Sequence, residues 1–165
     1  MIAELGHFAL VLALALAVVQ SAVPLWGALA REPRLMAVAA PAAIAQFLFT
    51  GLAFAALVHA YVTSDFSLLN VVENSHSSKP LLYKVTGVWG NHEGSMLLWV
   101  LILTLFGGLV AVFGRNLPER LHALVLSVQA WVATAFFLFI LLTSNPFVRL
   151  SPAPAEGNDL NPVLQ

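Results

Sequence analysis

The sequence predicts an all-α integral membrane protein, with four transmembrane helices joined by short cytoplasmic turns and one longer outer loop. Three observations carry that fold class. Hydrophobic residues make up 60% of the chain and charged residues 9%, where soluble domains carry about 25% charged residues. Four apolar segments recur, at about 6–29, 35–62, 96–113 and 121–142, and at about 1.5 Å per residue each can cross a hydrocarbon core of about 30 Å. None alternates polar with apolar residues as membrane-barrel strands do, and lipid tolerates only helices or closed barrels. The four spans are expected to form part of a larger polytopic bundle.

The first segment has the apolar core of a secretory signal, from Phe8 to Val19, followed by the small residues Ser21 and Ala22. No Lys or Arg precedes it, Glu4 does, and apolar sequence continues through Trp26 to Leu29, so it reads as a retained span. Arg31-Glu32-Pro33-Arg34 then stops the helix, because Pro lacks the amide that a helix interior needs. The second segment runs out through His59, Tyr61 and Thr63 into the long connection 63–95. The third ends at Arg115-Asn116-Leu117-Pro118-Glu119-Arg120, a second Pro turn, and the fourth leads into the tail 143–165. Four of the seven Lys and Arg residues lie in these two brief turns, which places the turns in the cytoplasm. The N-terminus, the 63–95 loop and the tail are therefore expected outside, in the periplasm of a bacterium with the chain in its inner membrane. The tail SPAPAEGNDLNPVLQ has three Pro and a Gly, and reads as completing no folded unit.

Composition also bounds the chemistry. The formal net charge is −1, so no basic face exists to neutralise nucleic-acid phosphates; the surroundings implied are membrane lipids. With no cysteine, disulfides, zinc–thiolate sites and a self-encoded CxxCH haem attachment site are excluded. No GxSxG, Walker loop or HExxH occurs, and His92-Glu93 lacks a second His at helical spacing because position 96 is Met. No catalytic residue and no metal site is assigned.

The polar residues that remain gather in TGVWGNHEGS, before the third span. Asn91 suits a helix cap and Glu93 the positive end of the helix dipole. Trp89 suits a membrane interface. Gly87, Gly90 and Gly94 allow tight turns or close approach. Capping covers Asn91, Glu93 and Ser95 and leaves His92 open: its spacing favours a hydrogen-bonding structural role, with iron or metal ligation as the alternative. Glu4 and His7, three residues apart, can share a helix face as a snorkelling interfacial pair or a proton or ligand site. His59 lies near the end of the second span, where an ionisable group is a functional candidate by default. His76, in NSHSSK, and His122, beside Arg120, read as solvated residues.

The opening MIAELGHFAL, the segment YVTSDFSLLNVVENSH and YKVTGVWGNHEGSMLLWVLIL together closely resemble the N-terminal part of the CcmF family of cytochrome c-type biogenesis proteins, which includes NrfE. Less closely, they resemble the wider haem-handling group that includes CcmC and CcsA. The resemblance covers essentially the whole chain. It implies a multi-span inner-membrane subunit of a haem lyase, which accepts haem from a CcmE-type chaperone, works with a CcmH-type subunit and promotes thioether attachment of haem vinyls to apocytochrome c. Haem is thus implied by the family. Its Trp-rich WWD loop is not in this sequence, and no position here corresponds to a family axial ligand. The expectation is therefore a chain that stops before that loop and does not ligate haem alone, with Trp89, Gly90, Asn91, His92, Glu93 and Ser95 as a periplasmic docking or supporting surface. Glu4, His7 and His59 are secondary candidates.

Two other functional classes compete. An outward-facing proton or ion pathway would use Glu4, His7, His59 and Glu93, although the middles of spans three and four hold no Asp, Glu, Lys or Arg to continue it. A purely structural scaffold would use Gly107-Gly108 and the Ala-rich second span for close packing.

Overall fold

In the computed structural model the chain is described over residues 1–159, with Arg115 described for its backbone only. The tail residues 160–165 lie outside the described residues. Among the described residues, four helices are long and apolar enough to cross a membrane, and no residue lies in a strand longer than an isolated bridge.

Helix α1, Ile2–Ala30, extends beyond the apolar segment at both ends and continues through Pro24. It stops where Arg31 adopts a left-handed conformation, φ 58°, and the Glu32 amide reaches back to the Gly27 carbonyl at 2.9 Å. Gly27 is required there by space. A Cβ on it would meet the Leu35 Cβ and the Met36 amide nitrogen at 2.7 Å, so the returning chain rests directly on the backbone of α1.

The segment expected as one span over 35–62 lies within a single membrane-spanning stretch, Pro33–Val62, with a local irregularity near its start. Pro33–Met36 forms the short α2, Ala37 and Val38 keep right-handed helical backbone (φ −63° and −68°), and α3 runs Ala39–Val62. Packing of Leu35 and Met36 on Gly27 holds the start of this span against the end of α1. The long connection carries α4, Leu69–Asn74, and α5, Leu81–Gly87. Helix α6, His92–Phe113, starts four residues ahead of the apolar segment because Asn91 caps it; a 3₁₀ turn, Gly114–Asn116, leads to α7, Glu119–Thr143.

Helix α1 packs on α3 and α7, and α6 closes the bundle against α3 and α7. Small residues make the closest seam: Ala3, Ala9, Ala13 and Ala17 of α1 lie buried with Ala53, Ala56 and Ala60 of α3, letting the backbones approach where no hydrophobic effect separates helix from lipid. Amides tie the other contacts. Gln20, fully buried, donates to the Leu126 carbonyl (2.9 Å) and to Gln129 Oε1 (3.1 Å), and Gln129 donates on to the Leu103 carbonyl (3.2 Å). Trp26, Trp99, Phe106 and Trp131 stay exposed on the outside of the bundle, as lipid-facing side chains do.

Gly6 gives a direct test of this packing. A Cβ there would lie 2.7 Å from both the Ala56 Cβ and the Phe147 ring, and neither the helix seam nor a ring buried to 6% exposure has room to yield. Gly6→Ala is expected to destabilise the bundle by about 1–3 kcal/mol, the usual cost of overpacking, read as a lower midpoint in detergent-induced unfolding.

Candidate functional site

At the end of the bundle that carries the long connection, α6 begins at a side chain with two jobs. Asn91 has extended backbone, and its Oδ1 accepts from the Gly94 amide at 2.8 Å, satisfying one of the helix's free donors. Its Nδ2 donates to Tyr61 Oη at 2.8 Å and to the Gly87 carbonyl at 3.0 Å, and lies 3.3 Å from the Val88 carbonyl. Asn70 of α4 completes the ring. Its Nδ2 donates to Asn91 Oδ1 (2.9 Å) and Glu93 Oε2 (3.1 Å), while its Oδ1 accepts from Tyr61 Oη (2.7 Å). Tyr61 and Asn70 are buried, where an unpaired polar group would cost about 1–3 kcal/mol. Helices α3, α4 and α6 are thereby joined through one satisfied network.

The rest of the cluster is placed around it. Gly94 is buried against the Val88 carbonyl, and Gly90 donates to the Gly87 carbonyl at 3.2 Å. Ser95 Oγ donates back to the His92 carbonyl at 2.9 Å. Trp89 stacks on Phe54, with ring centroids 6.5 Å apart and planes at 21°, and remains 39% exposed. A cavity of about 230 Å³ opens beside the network, lined by Lys79, Tyr83, Thr86, Gly90 and Asp159 among others.

His92 takes no part in the Asn ring. Its Nε2 lies 3.0 Å from Ser144 Oγ and its ring meets Phe139 edge-on at 6.1 Å. His7 approaches the next residue, with Nδ1 3.4 Å from Asn145 Nδ2, and its ring is edge-on to Phe147 at 6.4 Å. The two histidines therefore flank Ser144 and Asn145, just past the end of α7. Glu4 is not partnered with His7, contrary to the helix-spacing expectation. Its carboxylate is taken by Arg149 Nε at 3.0 Å and by the terminal amine. His59 stands apart, exposed, with no side-chain hydrogen bond among the described residues.

The tail carries contacts that its loop-like composition does not announce. Leu68 and Arg149 form an antiparallel bridge, with the Leu69 amide on the Val148 carbonyl (2.9 Å) and the Leu150 amide on the Ser67 carbonyl (2.8 Å). Farther on, the Asn158 amide reaches the Val72 carbonyl (2.7 Å), and Lys79 pairs with Asp159. Glu156 accepts from the Ser77 hydroxyl and from the amides of Ser77 and Gly157, which holds its carboxyl down to about 2. The described tail is strapped over the connection between α3 and α6.

Sequence reasoning missed Tyr61, Asn70, Ser144 and Arg149 as parts of this region. Tyr61 carried the one usable signal, since a phenol at the end of an apolar span needs a polar partner. Among the described residues, no three His, Cys, Asp or Glu side chains converge as a metal site would require.

Comparison with known proteins bears on the same segment. A family model described as "Cytochrome C assembly protein" matches residues 89–165, beginning at Trp89. The cytochrome c-type biogenesis protein CycK of Bradyrhizobium diazoefficiens is 69% identical over the whole chain; CcmF of Pseudomonas aeruginosa is 52% and CcmF of Escherichia coli 43% identical. The chain spans about a quarter of the length of these curated relatives, 25%, 25% and 26% respectively. A solved structure titled "Cytochrome c Heme Lyase CcmF" superposes with a TM-score of 0.84 at 31% identity, over 89% of this chain and 25% of that one. Whole-chain identity at this level, together with the shared arrangement of spans, shows that the chain belongs to the CcmF family of cytochrome c-type biogenesis proteins and corresponds to their N-terminal part.

Proposed function

We propose that the chain serves c-type cytochrome maturation within a haem lyase component of the bacterial inner membrane, with Trp89, Gly90, Asn91, His92, Glu93 and Ser95 forming a docking or supporting surface on the periplasmic face. Haem enters this reading as the substrate of the longer protein, delivered by a CcmE-type chaperone and passed to apocytochrome c held by a CcmH-type subunit. The dense Arg turns at the opposite end support the orientation.

One observation carries the proposal. The Tyr61–Asn70–Asn91–Glu93 network fixes the start of α6 from within, yet Trp89 and His92 remain exposed beside it. An internally satisfied frame presenting an aromatic and an imidazole is suited to contact with a partner, because neither the frame nor the presented groups must reorganise on binding. In the full-length protein, replacing both Trp89 and His92 by Ala is expected to lower c-type haem staining at least about fivefold with normal protein levels, the loss of a contact worth about 1 kcal/mol. Unchanged staining would remove the docking role. A fall in protein level with unchanged staining per molecule would assign the cluster to the scaffold instead.

A further inference from the structure

The opposite end of the bundle, where the two Arg turns meet, holds a site that the haem reading does not use. A cavity of about 390 Å³ lies there, lined by Arg34, Met36, Ala37 and Ala40 on one side and by Glu119 and His122 on the other. A second, of about 420 Å³, is lined by Leu16, Val19, Val38, Pro41 and Ala42, and Arg34 and Ala37 line this one as well. Arg34 thus stands between a polar-mouthed cavity and an apolar groove along α1 and α3. Among the described residues, neither Arg34 nor Glu119 makes a side-chain hydrogen bond or salt bridge. The His122 ring does not compete for them, since its Nε2 lies 3.1 Å from the Val110 carbonyl.

The depth of these groups follows from the helices. Glu119 is the first residue of α7 and Arg34 belongs to α2, one short turn before α3, so both sit where the apolar spans meet water. Basic pockets at that level take phospholipid head groups. Here the pocket offers a cation and a carboxylate together, which matches a phosphodiester joined to an ammonium. A purely anionic head group would leave Glu119 facing like charge.

We propose that this is a binding site for a zwitterionic phospholipid with a primary ammonium, of the phosphatidylethanolamine class. The phosphate pairs with the Arg34 guanidinium, which suits phosphate oxygens bidentately. The ammonium donates to the Glu119 carboxylate, and one acyl chain follows the groove of Leu16, Val19, Val38 and Pro41. A quaternary choline, with no N–H to donate, is the natural discriminator.

Native mass spectrometry of the delipidated chain, with dioleoyl-phosphatidylethanolamine, -phosphatidylcholine and -phosphatidylglycerol added separately, tests this. A single phosphatidylethanolamine adduct is expected to be retained about fivefold better than the other two, the order of one interfacial charge contact. Arg34→Ala should lower retention of all three lipids. Glu119→Gln should bring phosphatidylethanolamine down to the phosphatidylcholine level while leaving phosphatidylcholine unchanged. Val19→Trp, which fills the groove and leaves both charges in place, should lower retention of every diacyl lipid. Equal retention of the three by the unsubstituted chain, preference for phosphatidylglycerol, or selectivity unaltered by Glu119→Gln would each overturn the proposal. The Arg34 and Glu119 side chains are exposed, so their substitution is expected to cost little stability, and circular dichroism checks that all three variants fold.

Discussion

Gly94→Val is expected to abolish accumulation of folded protein in the membrane, and Gly94→Ala to destabilise it by about 3 kcal/mol or more. The reason is space alone, since no glycine among the described residues has a positive φ. A Cβ on Gly94 would overlap the carbonyl oxygen of Val88, and it would stand 2.8 Å from that group's carbon and 3.2 Å from Asn91 Oδ1. Backbone cannot rotate aside as a side chain can, so Val88 must move. Its movement would draw with it the end of α5 and the Gly87 carbonyl that holds Asn91, adding lost hydrogen bonds to the overpacking cost of about 1–3 kcal/mol. Gly90→Ala is the control: its nearest neighbours lie at 3.6 Å, and its effect should stay within about 0.5 kcal/mol. Detergent-unfolding midpoints and the amount of membrane-inserted protein distinguish the two. Equal tolerance of Ala at both positions would mean that α6 does not start against Val88.

These glycines show where sequence reading reaches its limit. TGVWGNHEGS announces a crowded helix start, because Asn, Gly and an acidic first turn are local signals, and three glycines equally permit close approach. Only the fold selects Gly94 as the one pressed on backbone. The bundle itself was legible for the same local reason: long apolar runs must be helical in lipid, and Pro33 and Pro118 mark the turns between them. The local irregularity between α2 and α3 was not, since Ala37 and Val38 carry no Gly or Pro signal, nor was the close approach of Leu35 and Met36 to Gly27.

The contacts that build the candidate site are long-range. Asn91 meets Tyr61 across 30 residues and Asn70 across 21; Arg149 meets Glu4 across 145. Nothing local in SPAPAEGND indicates that its amides and carboxylates will find Val72, Ser77 and Lys79. Asn70 lies inside the apolar run LLNVV, where it reads as an interruption until its three partners are seen. Helix caps are written in neighbouring residues, whereas a ring of side chains from three helices is written only in their packing.

That distinction makes Asn91→Asp the most informative single substitution. As caps, Asn and Asp are nearly equivalent, and a carboxylate at this position would even favour the helix dipole, so a residue that only capped α6 would accept the change without loss. The network requires more of it. Asn91 donates through Nδ2 to Tyr61 Oη and to the Gly87 carbonyl, and a carboxylate has no hydrogen to give. The Tyr61 hydroxyl can turn its hydrogen toward the new oxygen, but a carbonyl cannot become a donor. The substitution would leave the Gly87 and Val88 oxygens facing negative charge, close to Glu93, which Asn70 links to the same point. We expect a loss of about 2–4 kcal/mol, combining lost bonds with an unpaired partly buried charge. The introduced carboxyl would have its pKa raised above the unfolded value of about 3.9. The penalty is then full above the folded pKa and is relieved as pH falls through it, so the variant should regain stability relative to the unsubstituted chain on acidification. Asn91→Ser, which keeps a capping oxygen and adds no charge, should lose less and show no such recovery. Unfolding midpoints for the three chains at neutral and acidic pH decide the matter: an unperturbed Asn91→Asp midpoint would reduce Asn91 to a cap, and the ring that holds Trp89 and His92 in place would lose its central member.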